Sequence, residues 1–198
     1  MGKLFIFMGK SAVGKDTLYD LVMERCPKYQ GVVPYTTRPA RDGEKEGKDY
    51  YFITEERFRE MEQAGQVIES RCYQTVKGPW YYCTADDGQI DLEHGNYCLL
   101  STLEGYQKIR DFFGPDNVIP VYIEVPDEMR LLRAVIREHT QEKPCMTEVC
   151  RRYLADEEDF SEEKLRDAGI THAIVNKDDK EDTFWEIMAV LSSGIKKQ

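Results

Sequence analysis

The chain alternates short apolar runs with helical repeats. Leu4-Phe5-Ile6-Phe7-Met8 is an unbroken apolar stretch closed by Gly9, the pattern of a strand covered on both faces within a parallel sheet. Directly after it, Leu18, Leu21, Val22 and Cys26 recur at three- and four-residue intervals, which predicts a helix over about 15–26 with one face on that sheet. Pro27 helps to end it. Further buried strands are predicted at 31–35, 97–100, 118–125 and 172–175, with helices at 103–113, 127–140 and 182–191. Strands alternating with helices give an α/β fold, a three-layer sandwich around a parallel, doubly wound central sheet.

Two stretches interrupt the alternation. Residues from about 36 to 91 carry short strand-like pieces at 50–53, 67–73 and 80–84 around a helix beginning near Thr54, which reads as an inserted α+β lobe. Residues from about 127 to 160 are rich in charge and contain Pro144, and they read as two helices joined by a mobile loop, placed like a lid. The rest, about 1–35, 92–126 and 161–198, forms the core of a single domain, since no repeat or linker divides the chain.

Charge narrows the function. A net charge of −10 over 198 residues argues against non-specific binding to nucleic acid or to an anionic membrane, which needs clustered positive charge. An anionic ligand must then meet a local basic site. The six cysteines form no C-x-x-C pair, and no charged segment with a long apolar run precedes them, so reduced thiols in the cytoplasm are the simplest reading. Cys145, Cys150 and His139 lie close in sequence but fit no common zinc spacing. Gly2 follows the initiator, yet Ile6 stands where an acylation signal needs Ser or Thr, and the 4–8 run is far too short to span a bilayer.

Gly9-Lys10-Ser11-Ala12-Val13-Gly14-Lys15-Asp16-Thr17 joins the first strand to the first helix, the context that a phosphate-binding P-loop requires. Glycines let successive N–H groups converge on phosphate oxygens, the helix N-terminus adds positive potential, and Lys15 reaches the terminal phosphates of a nucleotide such as ATP. A hydroxyl directly after the lysine normally helps to hold Mg²⁺. Asp16 stands there, so that role falls to Thr17.

In the lobe, Thr36-Thr37-Arg38-Pro39-Ala40-Arg41-Asp42-Gly43-Glu44 sets two arginines three apart beside two hydroxyls. Planar guanidinium forks at Arg38 and Arg41, with the Tyr50 hydroxyl, suit a monophosphate. The same segment reads equally as an exposed loop whose arginines are compensated by Glu44 and Glu46. In the lid, Arg133 and Arg137 share a helical face, and Arg151 and Arg152 open the next helix. They can converge on a transferring phosphoryl group or form ion pairs with Glu138, Glu142, Glu148, Glu157 and Glu158.

With these motifs in order, namely the loop at 9–17, the segment at 36–44 followed by Gly47-Lys48-Asp49-Tyr50-Tyr51-Phe52, and Val67-Ile68-Glu69, the sequence resembles the guanylate kinases through nearly its whole length. The resemblance implies transfer of the γ-phosphoryl group of ATP to GMP with Mg²⁺. It assigns the GMP phosphate to Arg38, Arg41, Tyr50 and Tyr82, and the guanine to Glu69 and Thr84, with Thr102 at a position that is acidic in the family. It assigns ATP to Gly9, Ser11, Ala12, Val13, Gly14, Lys15, Asp16 and Thr17, with Asn176 near the adenine, and catalysis to Lys15, Arg133, Arg137 and Arg152. A carboxylate at Glu69 can accept from both N1–H and the exocyclic amine of guanine, a pair that adenine does not offer. Read alone, Glu69 is an ordinary strand carboxylate, and Asn176 a turn former before Lys177 and Asp178.

The chain departs from the family at several points. Pro34 replaces a phosphate-binding serine. Cys83 replaces a glycine in Tyr82-Cys83-Thr84, and about four extra residues separate that step from Glu69. Thr102 in Leu99-Leu100-Ser101-Thr102-Leu103-Glu104-Gly105 replaces an aspartate, and Lys10 and Ala12 replace a proline and a glycine. Three readings remain open: a divergent guanylate kinase, a kinase for another or a modified nucleoside monophosphate, and a non-catalytic module that binds a phosphorylated protein through the old GMP site. The intact Lys15 and the arginine set weigh against the third.

Overall fold

The computed structural model describes residues 1–75, 78–176 and 179–196. Its centre is β1 (Leu4–Met8), buried along its whole length. β1 pairs in parallel with β7 (Asn96–Leu100) on one side and β8 (Val118–Glu124) on the other; β2 (Tyr29–Gly31) and β9 (Ile174–Val175) flank these, giving the order β2-β7-β1-β8-β9. The two-residue period of the strand divides the core. Leu4, Ile6 and Met8 join the cluster of Leu103, Tyr106 and Ile109 from α3 (Leu103–Phe113). Phe5 and Phe7 join Leu18 and Val22 of α1 (Lys15–Arg25) and Phe184, Ile187 and Leu191 of α7 (Lys180–Lys196). Burying each such side chain stabilises the fold by about 1.5–3 kcal/mol, and it fixes the carboxyl ends of β1 and β7 side by side.

The lobe is built on a second sheet in the order β4-β3-β6-β5, formed by β3 (Tyr35–Thr36), β4 (Tyr51–Phe52), β5 (Val67–Thr75) and β6 (Gly78–Ala85). Between β4 and β5 lies α2 (Glu55–Gln63), capped by the Thr54 side chain, which accepts from Arg57 N. The single strand expected at 31–35 is instead split between the two sheets. β2 ends at Gly31 in the core sheet and β3 starts at Tyr35 in the lobe. Pro34 lies between them; it has no N–H for a ladder, and its carbonyl accepts from Tyr51 N at 2.9 Å. Pro34 therefore marks the point where the chain leaves the core.

The lid consists of α4 (Asp127–His139) and α5 (Met146–Asp159). After it, α6 (Glu162–Asp167), capped by Ser161, is a helix that the apolar pattern did not predict, because none of its residues is buried. α7 also begins before, and ends after, the 182–191 expected for it. Lys177 and Asp178, where a turn after Asn176 would fall, lie outside the described residues. Among those described, no helix is long and apolar enough to cross a membrane.

Candidate active site

The loop after β1 has the geometry of an anion cradle. A Cβ on Gly9 would stand 2.2 Å from the Ile123 carbonyl oxygen, so only glycine lets the loop leave β1 beside β8. Gly14, with φ 88°, is the N-cap of α1. Ala12 has φ 65° and is the one non-glycine residue with positive φ among those described, in the position where the sequence lacks the expected glycine. Alternating handedness of this kind turns successive N–H groups toward one concave side, at the positive end of α1. Lys15 opens the helix with its Nζ 3.3 Å from Asp16 Oδ2, and Thr17, one position further, is exposed. Asn176, expected at the adenine, is buried behind the loop. Its Nδ2 donates to Val13 O at 2.6 Å and its Oδ1 accepts from Thr183 Oγ1 at 3.3 Å, so the amide braces the loop from within.

A charged network that the sequence did not reveal ties the lid to this loop. Lys10 Nζ lies 2.8 Å from both oxygens of Glu157. Asp156 Oδ2 accepts from Ser11 N at 2.9 Å. Arg130, 1% exposed, pairs with Asp127, Asp156 and Glu157 and stacks over the Tyr153 ring, its guanidinium carbon 4.1 Å from the centroid. The only sequence hint was the spacing of Asp127 and Arg130 on one helical face; the contacts with 156 and 157 arise only when α4 and α5 pack. Of the predicted lid arginines, Arg137 and Arg152 line one small cleft with Ser11 and Arg130. Arg152 and Arg151 both bind Glu148, whose carboxyl is pulled down to about 2 chiefly by its hydrogen bond from Arg151. Arg133 is half-buried on α4. A second cleft, with apolar walls of Val13, Val125, Pro126 and Val175, opens beyond the carboxyl ends of β8 and β9.

The lobe gathers the other predicted residues. Arg38, 3% exposed, gives both Nη atoms to Glu44 at 2.6 Å and its Nε to the Tyr82 hydroxyl at 3.0 Å. Tyr50 lies against the same guanidinium, 4.9 Å from its ring centroid. The Arg38 hydrogen bonds hold the Glu44 carboxyl down at about 2. Arg41 is exposed, and among the described residues its guanidinium makes no ion pair; its backbone N donates to Glu44 Oε2. Arg38 and Arg41 thus stand on either side of Glu44, which orients the first and leaves the second open.

Glu69 is 2% exposed and directly opposite Thr84 in the β5–β6 ladder, with Thr84 Oγ1 donating to its Oε1 at 2.9 Å. The pairing continues to Thr75 opposite Gly78, so the extra residues lengthen the hairpin and leave the Glu69–Thr84 pair intact. A register irregularity between Val67 and Glu69 re-aims the strand just before Glu69. Cys83 is buried, and burial pushes its thiol up to about 12, which makes it inert. Thr102 uses its hydroxyl as the N-cap of α3, accepting from Gly105 N at 3.1 Å. Arg71, which sequence reasoning missed, lies two residues along β5 with its Nε 3.3 Å from Glu69 Oε2.

Known proteins resemble this chain along nearly its whole length. The sequence profile described as guanylate kinase matches residues 1–194. A guanylate kinase of Parasynechococcus marenigrum (strain WH8102) is 28% identical over 200 residues, covering 98% of this chain and 100% of that protein. Another, of Wolbachia pipientis wMel, is 30% identical over 193 residues, covering 96% of this chain and 90% of its own. The crystal structure of guanylate kinase from Anaplasma phagocytophilum superposes with a TM-score of 0.68 at 25% identity, covering 100% of this chain and 88% of that one. A match that runs almost from end to end makes this chain a member of the guanylate kinase family.

Proposed function

We infer that the protein transfers the γ-phosphoryl group of ATP to GMP, giving ADP and GDP. The observation that carries this reading is the pairing of two unlike sites across one edge of the core sheet. The P-loop leaves the carboxyl end of β1, while Glu69 reaches the start of α3 beyond the carboxyl end of the adjacent β7. Open α/β sheets bind ligands in such a crevice.

An oxygen of the GMP phosphate attacks the γ-phosphorus, the bond from that phosphorus to the β–γ bridging oxygen breaks, and ADP leaves with the electron pair. The protein aligns the two phosphates and neutralises charge on the moving group. The N–H groups of the 9–14 loop hold the β-phosphate and Lys15 follows the γ-phosphoryl group, while Arg133 and Arg137 of α4 and Arg152 of α5 close on it from the lid. Arg38, held in place by Glu44, and the open Arg41 take the GMP phosphate with the hydroxyls of Tyr50 and Tyr82. Glu69 and Thr84 read the guanine, and Thr102 fixes the start of α3 beside it. The cleft whose apolar walls are Val13, Pro126 and Val175, rimmed by Lys10, Glu124 and Asp127, suits the adenine, with Asn176 bracing the loop beneath.

The donors at the start of α1 fit a magnesium–nucleotide complex. The exposed Asp16 carboxylate and Thr17 hydroxyl follow Lys15 directly, and Mg²⁺ is commonly bound through one or two protein oxygens plus substrate phosphates. Among the described residues no cluster of three or more His, Cys, Asp or Glu could hold a metal by itself, which suits an ion that arrives with ATP. Held there by Asp16 and Thr17, such an ion would neutralise charge on the nucleotide phosphates. All six cysteines are free thiols, in keeping with work in the cytoplasm on small nucleotides.

A coupled assay of ADP formation with ATP, Mg²⁺ and each of GMP, dGMP, AMP, CMP, UMP and IMP tests the reading. The expected result is a clear preference for GMP; a preference for a pyrimidine or for AMP overturns it.

A further inference from the structure

Among the described residues, four buried side-chain polar atoms have no hydrogen-bond partner: Tyr29 Oη, Glu69 Oε2, Arg71 Nε and Ser101 Oγ. An unpaired buried polar atom is destabilising and rare; Glu69 Oε2 and Arg71 Nε offset one another as an ion pair at 3.3 Å, which leaves the Ser101 hydroxyl as the one of these three neighbouring atoms with no partner. Two of them face the same few ångströms. A Cβ built on Gly105 would stand 2.2 Å from Ser101 Oγ and 3.4 Å from Glu69 Oε2. Ser101 is 7% exposed and follows β7 directly, its backbone N bound to Phe7 O at 3.0 Å, so the hydroxyl is presented from a fixed main chain.

Donor and acceptor counts suggest what the hydroxyl awaits. Guanine offers three N–H bonds on one edge, one at N1 and two on the 2-amino group. Glu69 supplies two oxygens, and Oε1 already accepts from Thr84. The third N–H needs a third acceptor next to Glu69 Oε2, and Ser101 Oγ is the buried unpartnered oxygen there. Arg71, paired with Glu69 on its other flank, offsets the charge of a carboxylate that would be costly to bury alone.

We propose that Ser101 is a specificity-determining residue, whose hydroxyl accepts the second 2-amino N–H of the acceptor purine while Glu69 accepts the other two. The inference rests on the GMP reading above and deepens it. It distinguishes purines that carry a 2-amino group from IMP, which keeps the N1–H and lacks the amine.

The test is a double cycle of Ser101→Ala against wild type with GMP and IMP as acceptors, accompanied by thermal unfolding of both proteins. Loss of one neutral hydrogen bond predicts a fall of about fivefold in kcat/KM for GMP, mainly through KM, with IMP changed by less than about twofold on the same grounds. The melting temperature should not fall, because the hydroxyl removed has no partner in the free protein. Equal losses with GMP and IMP, or no loss with either, overturn the role of Ser101 while leaving the GMP reading standing. A wild-type protein inert toward GMP overturns both.

Discussion

The two halves of the cleft meet their ligands in opposite states. On the donor side the polar groups are already matched: Lys10 with Glu157, Ser11 N with Asp156, Arg130 with three carboxylates, and the Asn176 amide with Val13 and Thr183. On the acceptor side Glu69 Oε2, Arg71 Nε and Ser101 Oγ are buried without hydrogen-bond partners, the first two joined only as an ion pair. Internal partners set the shape of the donor loop, and one of them, the Asp156 carboxylate, occupies the N–H of Ser11. On the reading proposed above, the acceptor pocket instead holds its unmet hydrogen bonds for the base. Selectivity follows from the second state, because a base with the wrong edge leaves those groups unpaired.

The most severe break of the donor side is Arg130→Ala. It leaves Asp127, Asp156 and Glu157 crowded at the base of the lid without their cation, and it should lower the unfolding free energy by about 3–5 kcal/mol, measured by urea denaturation. A loss below about 1 kcal/mol, the range of surface pairs, would mean that the network is merely superficial. Lys15→Ala attacks the chemistry rather than the fold. It should reduce kcat by about 10²- to 10³-fold with an unchanged denaturation midpoint, and a folded variant with full activity would refute the P-loop mechanism.

These contrasts were unequally visible in the sequence. β1, the loop at 9–17 and α1 were legible because a fully buried strand, a glycine-punctuated turn and an amphipathic helix each leave a local pattern. Glu69 and Thr84 were legible only through resemblance, since their contact depends on the β5–β6 register and not on spacing. The Arg130 network was hidden because its partners lie on a different helix. Ser101 and Arg71 were passed over because nothing local says which face of a strand end meets a neighbouring lobe. The expected strand at 31–35 failed because hydrophobicity ran on through Pro34 while backbone hydrogen bonding could not.

Two smaller effects sharpen the comparison. The acceptor lobe carries its own acid-sensitive joint: Glu44 is held at about 2 by Arg38, against an ordinary 4.5. Because the folded value is depressed, its stabilisation is complete above about pH 4.5 and fades as the pH falls through about 2. Unfolding followed across that window should show a loss that is blunted in Glu44→Gln; identical curves would remove Glu44 as the clasp of Arg38. On the donor side, Ala12→Gly relieves a left-handed alanine and should stabilise the protein by about 1 kcal/mol, read from the shift in denaturant midpoint. A destabilised variant would show that the loop does not hold residue 12 at positive φ.

The most direct test of guanine recognition at Glu69 is a crystal structure with GMP bound. The account predicts the N1–H and 2-amino edge of the base against Glu69 Oε2 and Ser101 Oγ, with the phosphate between Arg38 and Arg41. A base seated elsewhere, or Glu69 turned away from it toward solvent, would contradict it.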